Sequence, residues 1–236
     1  MEVFVTGGSG YIGSQLVEKL RSQNHVVTVY DTKVNIIDNI LDSERVESFI
    51  KSADVCFHLA SLCIVPDSLL HPLEYWINIL EGTQNIVNAC RKHSVRLIFT
   101  STQLAGDPFR CQCCGKLQSP YAEAKREAEK LVAILPDSLT VRLPNIYDLE
   151  GKDPNESRLF PRFGKMARER GVVRIFPPED TPLTLVTLDE CAKNLIEYIK
   201  NPVGLVAMKG ENLTIRQVAD RIANYYGASV EVRPKE

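Results

Sequence analysis

The sequence predicts an α/β protein built on a doubly wound parallel sheet. Three observations carry that prediction. Short β-rich runs alternate with helix-patterned segments along the first 147 residues. A glycine cluster, GGSGYIG at 7–13, separates the first β-rich run from the first helix. The second run closes on an acidic residue, Asp31. Alternation of this kind puts helices on both faces of a parallel sheet and ligands at the C-terminal ends of its strands.

The elements follow in order. Residues 2–6, EVFVT, read as a first strand. SQLVEKLRSQ follows the glycines, with Leu16, Val17 and Leu20 at helical spacing. HVVTVYD (25–31) is the second strand, 44–51 a helix and ADVCFHLAS (53–61) a buried strand. Residues 72–93 read as one long helix, VRLIFTST (95–102) as a strand and 120–135 as a helix. LTVRLPNIY (139–147) is a further strand. Residues 1–147 therefore form the expected nucleotide-binding domain. Residues 148–236 form a small C-terminal α/β part, some of whose segments return to the sheet.

Bulk properties narrow the function. The 236 residues are 44% hydrophobic and 25% charged, enough for a packed core. A net charge of −2 gives no general attraction to nucleic acid or acidic membranes. No apolar run approaches the ~20 residues of a membrane span. MEVFVTGG enters a strand directly, without a signal-peptide layout, so a soluble cytoplasmic protein is expected. Seven cysteines are an odd number. In that compartment they favour free thiols, with Cys56 and Cys90 as small buried hydrophobes.

Glycines between a strand and a helix carry a physical meaning. The turn needs backbone angles that only glycine adopts cheaply. The helix N-terminus then offers N–H groups and a partial positive charge to a pyrophosphate. Gly8, Gly10 and Gly13 fit one spacing; Gly7, Gly10 and Gly13 fit another. Sequence physics leaves both open. Asp31 lies 18 residues after Gly13. A carboxylate there accepts hydrogen bonds from ribose hydroxyls and repels a 2′-phosphate, which favours NAD over NADP. The sheet is thus of Rossmann type.

Several stretches then resemble the NAD-dependent epimerase/dehydratase family of extended short-chain dehydrogenases. They are TGGSGYIG (6–13), Asp31, DNILD (38–42), HLAS (58–61) and NILEGTQNIVNAC (78–90). They continue through TS (100–101), YAEAK (121–125), RLPNIY (142–147), TLDECA (187–192) and GENLTIRQVADRIA (210–223). The resemblance implies the register Gly7, Gly10, Gly13, with Tyr11 and Ile12 at the helix start. It implies Asp31 at the ribose, Asn39 and Ile40 at the adenine side, and Leu59 and Ala60 as the wall of the cofactor cleft. Tyr121 matches the catalytic tyrosine, Lys125 its partner and nicotinamide-ribose contact, and Ser101 the hydroxyl residue beside them. Ser61, Ser101, Thr102 and Asn145 fall on the substrate side.

That chemistry is coherent. A phenol of pKa ~10 is a poor base at neutral pH. A lysine one helical turn away shares its face and stabilises the phenolate. Tyr121 can then remove a proton from an alcohol while hydride passes to NAD, and return it in reverse. His58 reads as a core or supporting residue rather than a base.

The departures are specific. Ala105 stands where the family has a tyrosine, which would open the pocket. Leu183 stands where the family often has a diphosphate-gripping arginine; Arg162, Arg168, Arg170, Arg174 or Arg233 could substitute. The chain is shorter than most full-length sugar epimerases. Thr102 and Gln103 replace the acidic pair of the sugar dehydratases, which argues against water loss. Cys111, Cys113 and Cys114 lie close together, yet no second ligand pair accompanies them, so no metal is expected. The implied function is epimerisation at C4 of a UDP-hexose through a 4-keto sugar. The alternatives are a reductase of a nucleotide-linked keto sugar or other small carbonyl, and a non-catalytic NAD-binding regulator. The resemblance also implies a homodimer through 72–93 and 120–135, with Trp76, Ile77 and Leu131 at the contact.

Overall fold

The computed structural model describes residues 1–106, 119–149, 153–156, 158–200 and 203–233. Cys111, Cys113 and Cys114 lie outside the described residues. The chain divides into two units: Met1–Leu143 with Ala192–Met208, and Pro144–Cys191 with the residues from Lys209 on.

The first unit is built on apolar runs that bury both faces of their strands. β1 (Glu2–Thr6) lies between β2 (Val26–Tyr30) and β3 (Val55–His58), parallel to both. Val3, Phe4 and Val5 are buried, as is all of β3. β4 (Arg96–Thr102) and β5 (Ser138–Leu143) extend the sheet, and residues 204–207 return as its last strand beside β5. The order is thus strand two, one, three, four, five and then the 204–207 strand, all parallel. The expected doubly wound parallel sheet is present. Its order reverses between β1 and β3, the place where such sheets open a ligand crevice.

The helices cover it. α1 (Tyr11–Ser22) buries Gly13, Leu16, Val17 and Leu20. Burying three aliphatic side chains, at about 1.5–3 kcal/mol each, outweighs the roughly 1 kcal/mol cost of a helical glycine. α2 (Ser43–Ile50) starts on Asp42, whose carboxylate accepts the Arg45 N–H at 3.0 Å. A short α3 (Val65–Leu70) precedes a long helical stretch made of α4 (Pro72–Trp76), a π turn (Ile77–Glu81) and α5 (Gly82–His93). α6 (Pro120–Val132) is capped by Ser119, which accepts the Ala122 N–H at 3.2 Å.

Three expectations are corrected. The strand expected over 53–61 is limited to Val55–His58, because past Leu59 the ladder ends: the Ala60 N–H bonds the Thr6 side-chain oxygen instead of a strand backbone. The helix expected over 72–93 contains a π turn at Ile77–Glu81. The strand expected over 139–147 breaks at Pro144, which has no N–H for a ladder. β5 stops at Leu143, and β6 (Asn145–Tyr147) pairs in another sheet.

The second unit holds α7 (Leu159–Arg170), β7 (Val172–Ile175) and β8 (Pro182–Thr187). After α8 (Leu188–Glu197) and the returning strand β9 (Gly204–Ala207), it resumes with β10 (Glu211–Thr214), α9 (Ile215–Tyr226) and β11 (Ser229–Val232). β8 pairs antiparallel with β10 and parallel with β6. β7 and β11 form a parallel pair. Phe163, Val173, Leu185, Val218 and Ile222 bury its separate core. Thr214 and Gln217 close a capping box at the start of α9.

Candidate active site

The glycine turn is shaped by backbone proximity. Gly7 has φ +71°, and a Cβ there would stand 2.6 Å from the Ala60 nitrogen. A Cβ on Gly13 would overlap the Gly7 carbonyl oxygen, and one on Gly10 would lie 3.1 Å from it. Gly8 meets chiefly the side chain of Val29, at 2.9 Å. Backbone cannot yield as a side chain can, so Gly7, Gly10 and Gly13 are the constrained set. Gly10 gives α1 no side-chain cap, which leaves the first turn around Tyr11, Ile12 and Gly13 open to an anion.

Asp31 is buried beside this turn. One carboxylate oxygen accepts the Ser9 N–H and the other the Lys33 N–H, both at 2.9 Å. Each oxygen keeps lone pairs for further donors. Leu59 and Ala60 put their backbone against Gly7 and are tied to Thr6 at 3.1 and 3.2 Å. Asn39 is exposed; its side chain accepts the Leu41 N–H and its carbonyl accepts the Tyr30 hydroxyl, each at 3.0 Å. Ile40 differs from its neighbour: its side chain is buried against Gly82, so packing fixes it.

His58 is fully enclosed. Its ring nitrogens face Thr6 Oγ1 at 2.7 Å and Thr83 Oγ1 at 3.2 Å. Burial, helped by the nearby Lys125 charge, pushes its pKa down to about 3. The ring is therefore neutral at ordinary pH and ties β1 to α5 through the two threonines.

Tyr121 and Lys125 share one face of α6. Lys125 is buried, donates to the Thr100 carbonyl at 2.9 Å and stands 4.7 Å from the Phe99 ring centre. Burial lowers its pKa to about 8, against the opposing pull of Cys63 and Glu129. Tyr121 is half-buried, edge-to-face with Tyr75 at 6.4 Å. Tyr75 in turn holds the 64–67 segment, with its hydroxyl within 2.9 Å of the Ile64 oxygen and 3.0 Å of Asp67.

Ser101 is buried and donates to Glu129 Oε1 at 2.5 Å. Glu129 also accepts two bonds from Arg142, at 2.9 and 2.7 Å. Sequence reasoning missed Glu129, although 121, 125 and 129 form one helical stripe. It also missed Tyr75 and the exposed Cys63 near Lys125. Ser61 donates to the Leu62 carbonyl at 2.7 Å, and Thr102 accepts the Leu104 N–H at 3.3 Å. Ala105 is buried at 2% exposure, so its methyl group faces packing rather than an opened pocket.

Asn145 belongs to the second unit, where it is exposed and donates to the Thr184 carbonyl at 3.3 Å. Leu183 packs on that unit's core. Arg168 is engaged by Tyr226, while Arg174 and Arg233 both pair with Glu231. Among the described residues no three His, Cys, Asp or Glu side chains group as metal ligands, and no helix is long and apolar enough to cross a membrane.

A model of the NAD dependent epimerase/dehydratase family matches residues 3–203. The chain belongs to that family. A UDP-N-acetyl-alpha-D-glucosaminuronate decarboxylase of Bacillus cytotoxicus is 30% identical over 193 residues, 69% of this chain and 60% of that protein. A probable UDP-arabinose 4-epimerase of Oryza sativa is 29% identical over 190 residues, 66% of this chain and 45% of that protein. The matched region thus spans about half the length of these curated relatives. The fold is also that of Thermus thermophilus UDP-glucose 4-epimerase, solved with NAD: TM-score 0.82, 24% identity, 99% of this chain and 86% of that one. In this member of the epimerase/dehydratase family, the residues fit the dinucleotide. A Cβ would fill the cradle at Gly7 and Gly13, and Asp31 presents a buried carboxylate beside it.

Proposed function

We propose that the chain is an NAD-dependent nucleotide-sugar epimerase, acting at C4 of a UDP-hexose through a transient 4-keto sugar. The carrying observation is Lys125. A buried cation, anchored to Thr100 and one turn from Tyr121, is what a tyrosine needs to work as a base. The glycine turn would hold the pyrophosphate and Asp31 the adenosine ribose. Bound NAD would supply the two-electron acceptor that the side chains lack. Tyr121 would take the proton of the sugar hydroxyl and give it back after the keto sugar has turned over. Thr102 and Gln103 offer no acid–base pair, which supports epimerisation over dehydration.

The test is interconversion of UDP-glucose and UDP-galactose, or their N-acetyl forms, without net change in NADH. Failure with every such pair overturns the reading. A reductase of a nucleotide-linked keto sugar or other small carbonyl is the second reading; Leu183, a half-buried leucine that cannot grip a diphosphate, favours the small carbonyl. Net consumption of NAD(P)H per turnover would select it. Tight NAD binding with no turnover, unchanged by Tyr121→Phe, would select a regulator instead. Trp76, Ile77 and Leu131 are half-buried and Leu73 is 70% exposed, which supports dimerisation through these helices. Light scattering on the eluted protein reads it directly. The free thiols of Cys56, Cys90 and Cys191 support a reducing, cytoplasmic setting.

A further inference from the structure

The Ser101 hydroxyl has one proton and two lone pairs. That proton points to Glu129 Oε1 across 2.5 Å, at the short end for an O–H bond to a carboxylate. Glu129 faces Arg142 in a two-point pairing, with Oε1 accepting the Nε–H and Oε2 the Nη2–H. A carboxylate held by a guanidinium in this way is acceptor-only, so the proton of the short bond is the one on Ser101. Neither partner is free to turn away. Glu129 and Ser101 are both buried, at 6% and 3% exposure. Arg142 lies opposite Ser101 in the β4–β5 register. Its Nη1 rests so near Gly106 that a Cβ there would stand 2.7 Å away. One helical turn earlier, Lys125 pins the Thr100 carbonyl, so consecutive residues of β4 are held by consecutive turns of α6.

We infer that Glu129 is a positioning residue that commits the Ser101 hydroxyl proton, so that Ser101 meets a substrate only as a hydrogen-bond acceptor. This rests on the epimerase reading for its consequence and on the geometry for its substance. Ser101 would receive the sugar hydroxyl's hydrogen and orient it. It would not donate to the keto oxygen, and of the two hydroxyls only Tyr121 would do so.

Two measurements test it. Proton NMR of the full chain without substrate should show a slowly exchanging downfield hydroxyl resonance, absent in Ser101→Ala and displaced in Glu129→Gln. No such resonance, or one that Glu129→Gln leaves in place, overturns the inference whether or not the protein turns over a sugar. In turnover, Glu129→Gln should lower kcat about tenfold with KM changed less than about twofold. Adding it to Ser101→Ala should cause no further loss, because Glu129 acts through that hydroxyl. Independent, multiplying losses overturn the inference. Should Glu129→Gln fail to fold, Glu129→Gln with Arg142→Gln keeps the charge balance and answers the same question. A protein with the resonance but without epimerisation would refute the epimerase reading and leave the positioning role standing.

Discussion

The glycine turn and the α6 face both belong to the first unit, yet they are held by different forces. At the turn, backbone meets backbone: Gly7 stands against Ala60, and Gly13 against Gly7. On α6, polar side chains hold the neighbouring strands: Lys125 the Thr100 carbonyl, Glu129 the Ser101 hydroxyl and the Arg142 guanidinium. The turn is set by exclusion of atoms, the α6 face by satisfaction of charge. A steric site tolerates no added carbon but is indifferent to pH. A charged buried site tolerates shape changes better and responds to every change of protonation.

Tyr121→Phe separates the two most sharply. It should cost 10²–10⁴ in kcat, on the order of 3–5 kcal/mol, while leaving NAD affinity within about twofold. Stopped-flow turnover and calorimetric NAD titration check both halves. An equal loss of cofactor binding would mean the regions are not separable.

Lys125→Met addresses charge. In the fold Lys125 has a pKa of about 8, below its ordinary 10.5, chiefly through burial. Below pH 8 both folded and unfolded chains carry the proton, and the burial penalty is fully present. Between about 8 and 10.5 the unfolded chain holds a proton that the folded one has released, so stability rises with pH. The wild type should gain on the order of 3 kcal/mol across that window relative to Lys125→Met. Urea midpoints of both proteins at several pH values give the difference; parallel curves would contradict the buried charge.

Gly13→Ala addresses exclusion. The new methyl would meet the Gly7 carbonyl, which is backbone and cannot turn aside. A loss of about 1–3 kcal/mol in stability is expected, with weakened NAD binding and no dependence on pH. The smallest effect is a control outside both regions. Asp42→Ala removes the cap of α2 and should cost about 1 kcal/mol without touching turnover.

The turn was the more legible of the two regions. Its requirements are local: a strand, glycines at fixed spacing, a helix with Leu16, Val17 and Leu20 on one face, and an acid after the next strand. Each is written in adjacent residues, because backbone angles and helical periodicity act over a few positions. The same holds for Tyr121 and Lys125, whose spacing alone puts them on one face of α6. Tertiary structure decided the rest. Glu129 gains its meaning only when Arg142 and Ser101 arrive from two strands. The run 139–147 looks continuous until Pro144 sends β6 to a different sheet, and nothing near residues 204–207 announces their return beside β5. Sequence by itself determined the doubly wound sheet, the glycine turn between β1 and α1, and the shared helix face of Tyr121 and Lys125. Only the fold decided what Ser101 bonds to and where each strand pairs, because those contacts join residues far apart whose meeting depends on register and packing, which no local spacing encodes.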